Sequence, residues 1–119
     1  MYNISFYKTR RGEYPVKDFI EELDKKSQAK IYRYMVLLQE QGPDLPRPYT
    51  DHVKGKIREL RVNVSAGNVR IFYFFFLRNN IILLHAFKKK TMALPRQEIE
   101  KAERNMLDFI SRYEKEEFR

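Results

Sequence analysis

Residues 56–90, KIRELRVNVSAGNVRIFYFFFLRNNIILLHAFKKK, restrict the fold more than any other stretch of the chain. β-Branched and aromatic residues fill it in three runs, broken at Ala66–Asn68 and Asn79–Asn80 by Asn and Gly. This pattern predicts three successive strands joined by tight turns. Parity orients the first run, because alternate strand residues face opposite sides. Leu60, Val62 and Val64 share one face, and Glu59, Arg61 and Asn63 share the other. Burying each aliphatic is favourable by about 1.5–3 kcal/mol, so the Leu60 face is the predicted core and Glu59 and Arg61 should look outward. The run Arg70–Leu77 is apolar on both faces after its first residue. That predicts a central strand covered on both sides, with Arg70 at an accessible end. Phe72, Tyr73, Phe74, Phe75 and Phe76 then belong to the core and are not base-stacking platforms. The run Ile81–Phe87 is apolar apart from His85, and it ends in Lys88, Lys89 and Lys90.

The flanking segments complete an α+β pattern. Tyr2–Tyr7 alternates with the period of a half-buried strand. Pro15 suits a first helical position, and Val16, Phe19, Ile20 and Leu23 give that helix one apolar stripe. Ser27 is a candidate cap for a second helix carrying Ile31, Tyr34, Met35 and Leu38, which stops at Gly42-Pro43. Residues 42–55 hold three of the five prolines and two of the four glycines, and they read as an extended loop. Pro95 opens a last helix with Ile99, Ala102, Met106, Phe109, Ile110 and Tyr113 on its inner face and acids in its first turns. The order is β-α-α-β-β-β-α. Two helices separate the first strand from the second, so these strands cannot form a hairpin. A small α+β domain is expected, with a mixed, mainly antiparallel sheet and helices packed on it. At 119 residues the chain reads as one domain, 1–119.

Charge narrows the partners. Residues 52–90 carry nine basic residues against Glu59 alone, which equals the net charge of +8 for the whole chain. A basic sheet on an otherwise balanced protein points to a polyanion. No apolar run reaches the length needed to cross a bilayer, and no signal-peptide h-region precedes the charges of MYNISFYKTRR. With no cysteine, disulfides and thiolate zinc sites are excluded, which fits a cytoplasmic location. Two histidines are too few for a histidine-built metal site unless carboxylates supply the rest, and no metal or cofactor is expected. P-loop, GxGxxG, HExxH and nucleophile-elbow motifs do not occur.

If the strands align as expected, Arg61, Arg70, His85 and the lysine run converge at one edge of the sheet with Glu59 as the nearby carboxylate. Guanidinium groups hold phosphate bidentately and stabilise the charge that grows during attack on phosphorus. A carboxylate, a histidine or a lysine can move the protons. RNA brings its own nucleophile, the 2′-OH. Glu59, Arg61, Arg70, His85 and Lys89 are the candidate catalytic residues, and Lys56, Arg58, Lys88 and Lys90 the candidate RNA-backbone contacts. Against this stand plainer readings. A lysine run is more often a solvated strand end, His85 more often a packed histidine, and Glu59–Arg61 an ordinary surface pair worth at most about 1 kcal/mol. His52 has only its chemistry to recommend it.

The phrases IRELRV, VRIFYFF and IILLHAFKKKT-x-x-LP, with PVKDFIEEL near the start, resemble the phage-derived HigB-like branch of the RelE/ParE toxin superfamily. The resemblance covers nearly the whole chain and the same element order. It implies the toxin of a bacterial toxin–antitoxin pair, a ribosome-dependent endoribonuclease that cuts translated mRNA through the 2′-OH without metal. A small helix-turn-helix antitoxin, held in a toxin–antitoxin hetero-oligomer, is the implied partner beside the ribosome and mRNA, with no membrane involved. Arg61 closes the ELR phrase, Arg70 opens the next strand, and Lys88–Lys90 form the basic cluster after the last one. Glu59 stands where some relatives carry a lysine, and it either acts as base or orients Arg61. The terminal tyrosine of some relatives has no match near Pro95, which leaves the acid role to a lysine or His85. The ParE-like alternative is a binding inhibitor of DNA gyrase, and a non-catalytic RNA-binding protein is a third. Arg61 and Arg70 are both expected to be removable without unfolding the protein.

Overall fold

The computed structural model describes residues 1–117. Its elements are β1 (Asn3–Phe6), α1 (Pro15–Glu21), α2 (Lys25–Gln41), β2 (Thr50–Lys54), β3 (Ile57–Val64), β4 (Gly67–Phe76), β5 (Asn80–Lys88) and α3 (Arg96–Glu117). The five strands form one sheet in the order β1-β5-β4-β3-β2. Only β1 runs parallel to its neighbour β5, and the other pairs are antiparallel. The α+β class and the central position of β4 are as the sequence indicated.

Sequence parity sorts the core into two layers. On one face Leu60, Val62, Val69, Ile71, Tyr73, Ile81 and Leu83 pack with Val16, Ile20, Ile31, Met35 and Leu38 of α1 and α2. On the other, Ile57, Phe72, Phe74, Ile82, Leu84 and Phe87 pack with Ala102 and the half-buried Ile99, Met106, Phe109 and Ile110 of α3. Phe72, Tyr73 and Phe74 are fully buried, and truncating a core aromatic of this kind costs about 3–5 kcal/mol. A bulge in β5 sets Leu84 beside His85, since Tyr73 pairs with Leu83 and Phe72 with His85. Asn105 of α3 donates to the Leu84 carbonyl over 2.9 Å and so ties the helix to the bulge.

Three local expectations need correction. The segment 42–55 is not all loop, because Thr50–Lys54 forms β2 on the edge of the sheet. Its three prolines all precede Thr50, so every residue of β2 keeps a backbone donor, and β2 pairs against Ile57–Leu60. The cap of α2 is Asp24, whose carboxylate accepts from the Ser27 N–H over 3.2 Å. Ser27 itself is buried, its hydroxyl 3.3 Å from that of Ser65. The β4–β5 turn begins at Leu77, which takes a left-handed φ of 56° two residues ahead of the Asn pair. Gly42 ends α2 at φ +54°, and a Cβ there would lie 2.3 Å from the Tyr2 ring, so no larger residue fits.

Candidate functional site

Strand register lays out the α3-facing side of the sheet as a grid. One row is Asp51, Glu59, Phe72, His85, and the next is Arg61, Arg70, Phe87. Beyond it Asn63 faces Asn68, whose carbonyl accepts from the Lys89 N–H over 2.7 Å. Arg61 and Arg70 are therefore direct cross-strand partners, as two like charges become only where other forces compensate. Apolar contact with α3 reaches Phe87 and stops there. The end of the sheet carrying Arg61, Asn63, Asn68 and Lys89 lies past that cover.

Glu59 does not look outward as expected. Only 6% of its surface is exposed, and only 5% of that of Arg70. Arg70 is thus not at an accessible end either. The cause is shared: β2 extends the sheet past β3, so Glu59 gains Asp51 on one side and Phe72 on the other, while Arg70 lies between Arg61 and Phe87. Arg70 Nε stands 3.2 Å from Glu59 Oε1. The two atoms nevertheless lack an aligned hydrogen bond. Arg70 instead donates through Nη1 to the carbonyl of Val69 over 3.3 Å. Burial pushes the Glu59 carboxyl above the usual carboxylate range, with Asp51 adding to the push. The charges of Arg70, Arg61 and Lys89 pull against it. A carboxylate so placed can take up a proton nearer neutral pH than an exposed one.

The other candidates divide by face. Lys89 belongs to the Glu59 group, and its Nζ also donates to the Met92 carbonyl over 2.8 Å. Arg58 lies on the opposite face of β3, beside its cross-strand partner Tyr73. Lys88 pairs with Val69 and shares its α1–α2 face, so it too is turned away. Lys56 sits exposed in the β2–β3 turn, and Lys90 exposed past the end of β5. The nine cations of the sheet therefore do not form one patch. His85 is on the right face but is held elsewhere. Its Nε2 lies 2.8 Å from Glu98 Oε1, its ring stacks on Phe87, and Phe72 separates it from Glu59. Two strand spacings put it about 10 Å from Glu59. Burial holds its pKa below the ordinary value while Glu98 pulls it up. His52 closes the β2–β3 hairpin, with Nε2 2.9 Å from the Gly55 carbonyl.

Sequence reasoning missed two contributors. Asp51 joins the Glu59 row because β2 exists, a strand that the preceding prolines obscured. Lys30 reaches from α2 to the carbonyl of Asn63 and borders an open cleft of about 230 Å³ shared with Arg61 and Arg70. A signal for it was present: residues 25–39 hold Lys25, Lys26, Lys30 and Arg33 and no acid. Glu13, Asp18, Glu21, Glu22 and Asp24, which precede α2, offset these charges in a sum over the first third of the chain. Among the described residues no three His, Asp or Glu side chains gather as a metal site. No described helix is long and apolar enough to cross a membrane.

In this mixed-sheet α+β domain two arginines, a lysine and a buried carboxylate thus lie together on the α3-facing side of the sheet, next to the end that α3 leaves uncovered. The chain belongs to the family described as phage-derived protein Gp49-like, whose family model matches residues 18–107. The match spans β2 to β5 and every member of the Glu59 group. This family is one of toxins of the RelE/HigB kind, which carries with it an antitoxin partner. No curated protein matches the sequence.

Proposed function

We propose that this chain is a HigB-like, ribosome-dependent endoribonuclease that cleaves translated mRNA at the Glu59–Arg61–Arg70–Lys89 group. The observation that carries the reading is the placement of a carboxyl of raised proton affinity among three cations on one face of the sheet. Arg61, the more open arginine, contacts the scissile phosphate, and Arg70 holds Glu59 in place and adds its charge. Glu59 takes the proton of the 2′-OH as that oxygen bonds to phosphorus. The P–O5′ bond breaks, and the departing 5′ oxygen takes a proton from Lys89. The products are a 2′,3′-cyclic phosphate and a 5′-hydroxyl end. His85 is left out of the proton path by its bond to Glu98 and its distance. The nucleophile belongs to the RNA, so the chemistry draws on positioning and charge alone.

Single-turnover cleavage of ribosome-bound mRNA tests this reading. Arg61→Ala should lower the rate about 10²–10³-fold, the usual effect of losing a preorganised donor to a developing oxyanion. Among the described residues Arg61 makes no buried ion pair, so the thermal unfolding of this variant should stay near wild type. An Arg61→Ala protein that cuts at the wild-type rate ends the proposal. Intact mRNA accompanied by gyrase–DNA breaks would establish the ParE-like alternative.

A further inference from the structure

The cleft beside the Glu59 group is lined partly by Lys30, Tyr34 and Tyr49, which the proposed chemistry does not use. β2 pairs with β3 only up to Leu60, and the Tyr49 carbonyl accepts from the Arg61 N–H over 2.8 Å. Past that point the outer edge of β3 has no neighbouring strand. The edge is bridged by Lys30, which bonds the Asn63 carbonyl from the α2 side. The resulting cleft of about 230 Å³ is lined by Lys30, Tyr34, Tyr49, Arg61, Asn63 and Arg70. The Tyr34 and Tyr49 rings meet edge to face at 5.3 Å, and the Lys30 ammonium sits 5.7 Å from the Tyr34 ring centre. A second cleft of about 220 Å³ shares Lys30 and Asn63 with the first and continues to Lys26 and Arg33.

We infer that this edge is a subsite for single-stranded RNA flanking the reactive phosphate. The inference rests on the reading that Arg61 and Arg70 meet RNA. One nucleotide sits in the first cleft, its base against the Tyr34–Tyr49 wall and its phosphate between Arg61 and Lys30. The strand then leaves through the second cleft past Lys26 and Arg33. Aromatic walls accept the face of any base, and cations spaced along a groove track the backbone, which is how single strands are held without a duplex. Duplex RNA would not fit, because its bases are paired and stacked away from such a wall. The cleft joins the two faces of the sheet around a free edge. It thereby connects α2, whose charge is hidden in the sequence sum, to the phosphate-binding row.

The test is binding of a fluorescently labelled, fully 2′-O-methylated RNA hexamer to the full chain, read by anisotropy without ribosomes. That probe cannot be cleaved, so binding is separate from catalysis. Wild type should bind with a salt-dependent affinity. Tyr49→Leu should weaken binding about fivefold or more while Tyr49→Phe keeps it, since stacking needs the ring and not the hydroxyl. Arg33→Gln and Lys30→Gln should each flatten the log–log salt slope by about 0.7. Arg33 is exposed, so its variant reports even where Tyr49→Leu unfolds. No binding by wild type, or unchanged affinity and slope in both Tyr49→Leu and Arg33→Gln, overturns the subsite. Wild-type binding that shows these losses, from a protein that cleaves no mRNA, leaves the subsite standing and sinks the nuclease reading.

Discussion

Glu59–Arg70 and His85–Glu98 are both acid–base pairs drawn out of water on the same face of the sheet, yet they are made differently. His85 and Glu98 meet at 2.8 Å, with the imidazole stacked on Phe87 and the carboxylate carried by the first turn of α3. Glu59 and Arg70 are the more buried pair, at 3.2 Å without an aligned hydrogen bond, and two further cations crowd the carboxylate. A pair that joins a helix to a sheet gains from good alignment, because alignment fixes the helix. The Glu59–Arg70 pair leaves the Arg70 Nε donor unspent, which in the proposed reaction an incoming phosphate can use. The pair of the proposed site is thus the one buried without alignment, and the pair that joins helix to sheet is the aligned one.

The largest effect that sharpens this contrast is on stability. Arg70→Ala leaves Glu59 buried without its partner, and loss of one member of a buried pair costs about 3–5 kcal/mol. His85→Gln keeps a group able to bond Glu98, so its cost should stay near the ~1 kcal/mol of an ordinary hydrogen bond. Urea unfolding of the two variants measures both. Equal, small losses would show that the Glu59–Arg70 pair is not held by its burial, and the contrast would fail. The expectation that either arginine can be removed without unfolding the protein is thereby narrowed to Arg61, and Arg61→Ala is the variant that separates chemistry from folding.

A smaller effect appears with pH. Burial lowers the His85 pKa from its ordinary 6.5, against the pull of Glu98 and with Lys101 and Arg104 adding to the depression. The unfolded chain therefore binds this proton more readily than the folded one. Stability from His85 is present above about pH 6.5 and is lost as pH falls through the folded value. Urea midpoints should decline on acidification from pH 7 to 5, and His85→Gln should remove part of that slope. Glu59, shifted upward, acts in the opposite sense: its contribution is greatest in acid and declines as pH rises through its folded pKa. A His85→Gln protein with an unchanged pH slope would reassign the decline to other groups.

The sequence made the architecture legible because β3, β4 and β5 satisfy parity, turn chemistry and burial at once. β4 reads as central from its apolar character alone, and it is central. β2 was hidden because five residues after a proline-rich loop carry little periodicity, and their pairing depends on a partner strand. Of the candidate site, the grouping of Glu59, Arg61, Arg70 and Lys89 was legible and the geometry was not. Parity placed Glu59 and Arg61 on one face, and register then set Arg70 opposite Arg61. Whether that face was open could not follow from parity, since it depends on where α3 begins and on the existence of β2. The contribution of α2 was hidden for a different reason: Lys30 reaches the sheet edge only in three dimensions, and its charge is offset in the chain by acids that lie elsewhere in space.

The smallest predicted effect separates three consecutive lysines that composition treats alike. Alternation along β5 gives Lys89 the face of Phe87 and Lys88 the face of Val69, two strands from the free edge of β3. Lys89 lies within the field of Glu59, whereas Lys90 lies past the strand end and is exposed. In RNA-binding titrations over a range of salt, Lys89→Ala should flatten the slope by about 0.7, the share of one neutralised phosphate. Lys88→Ala should leave the slope indistinguishable from wild type, because its ammonium is directed to the α1–α2 side and can follow the RNA only by bending its stem around the strand. Its entropy cost for doing so is large for a four-carbon side chain. Equal flattening by Lys88→Ala and Lys89→Ala would mean that the lysine run acts as a diffuse cloud of charge. The separation of the two faces would then have no bearing on how RNA is held.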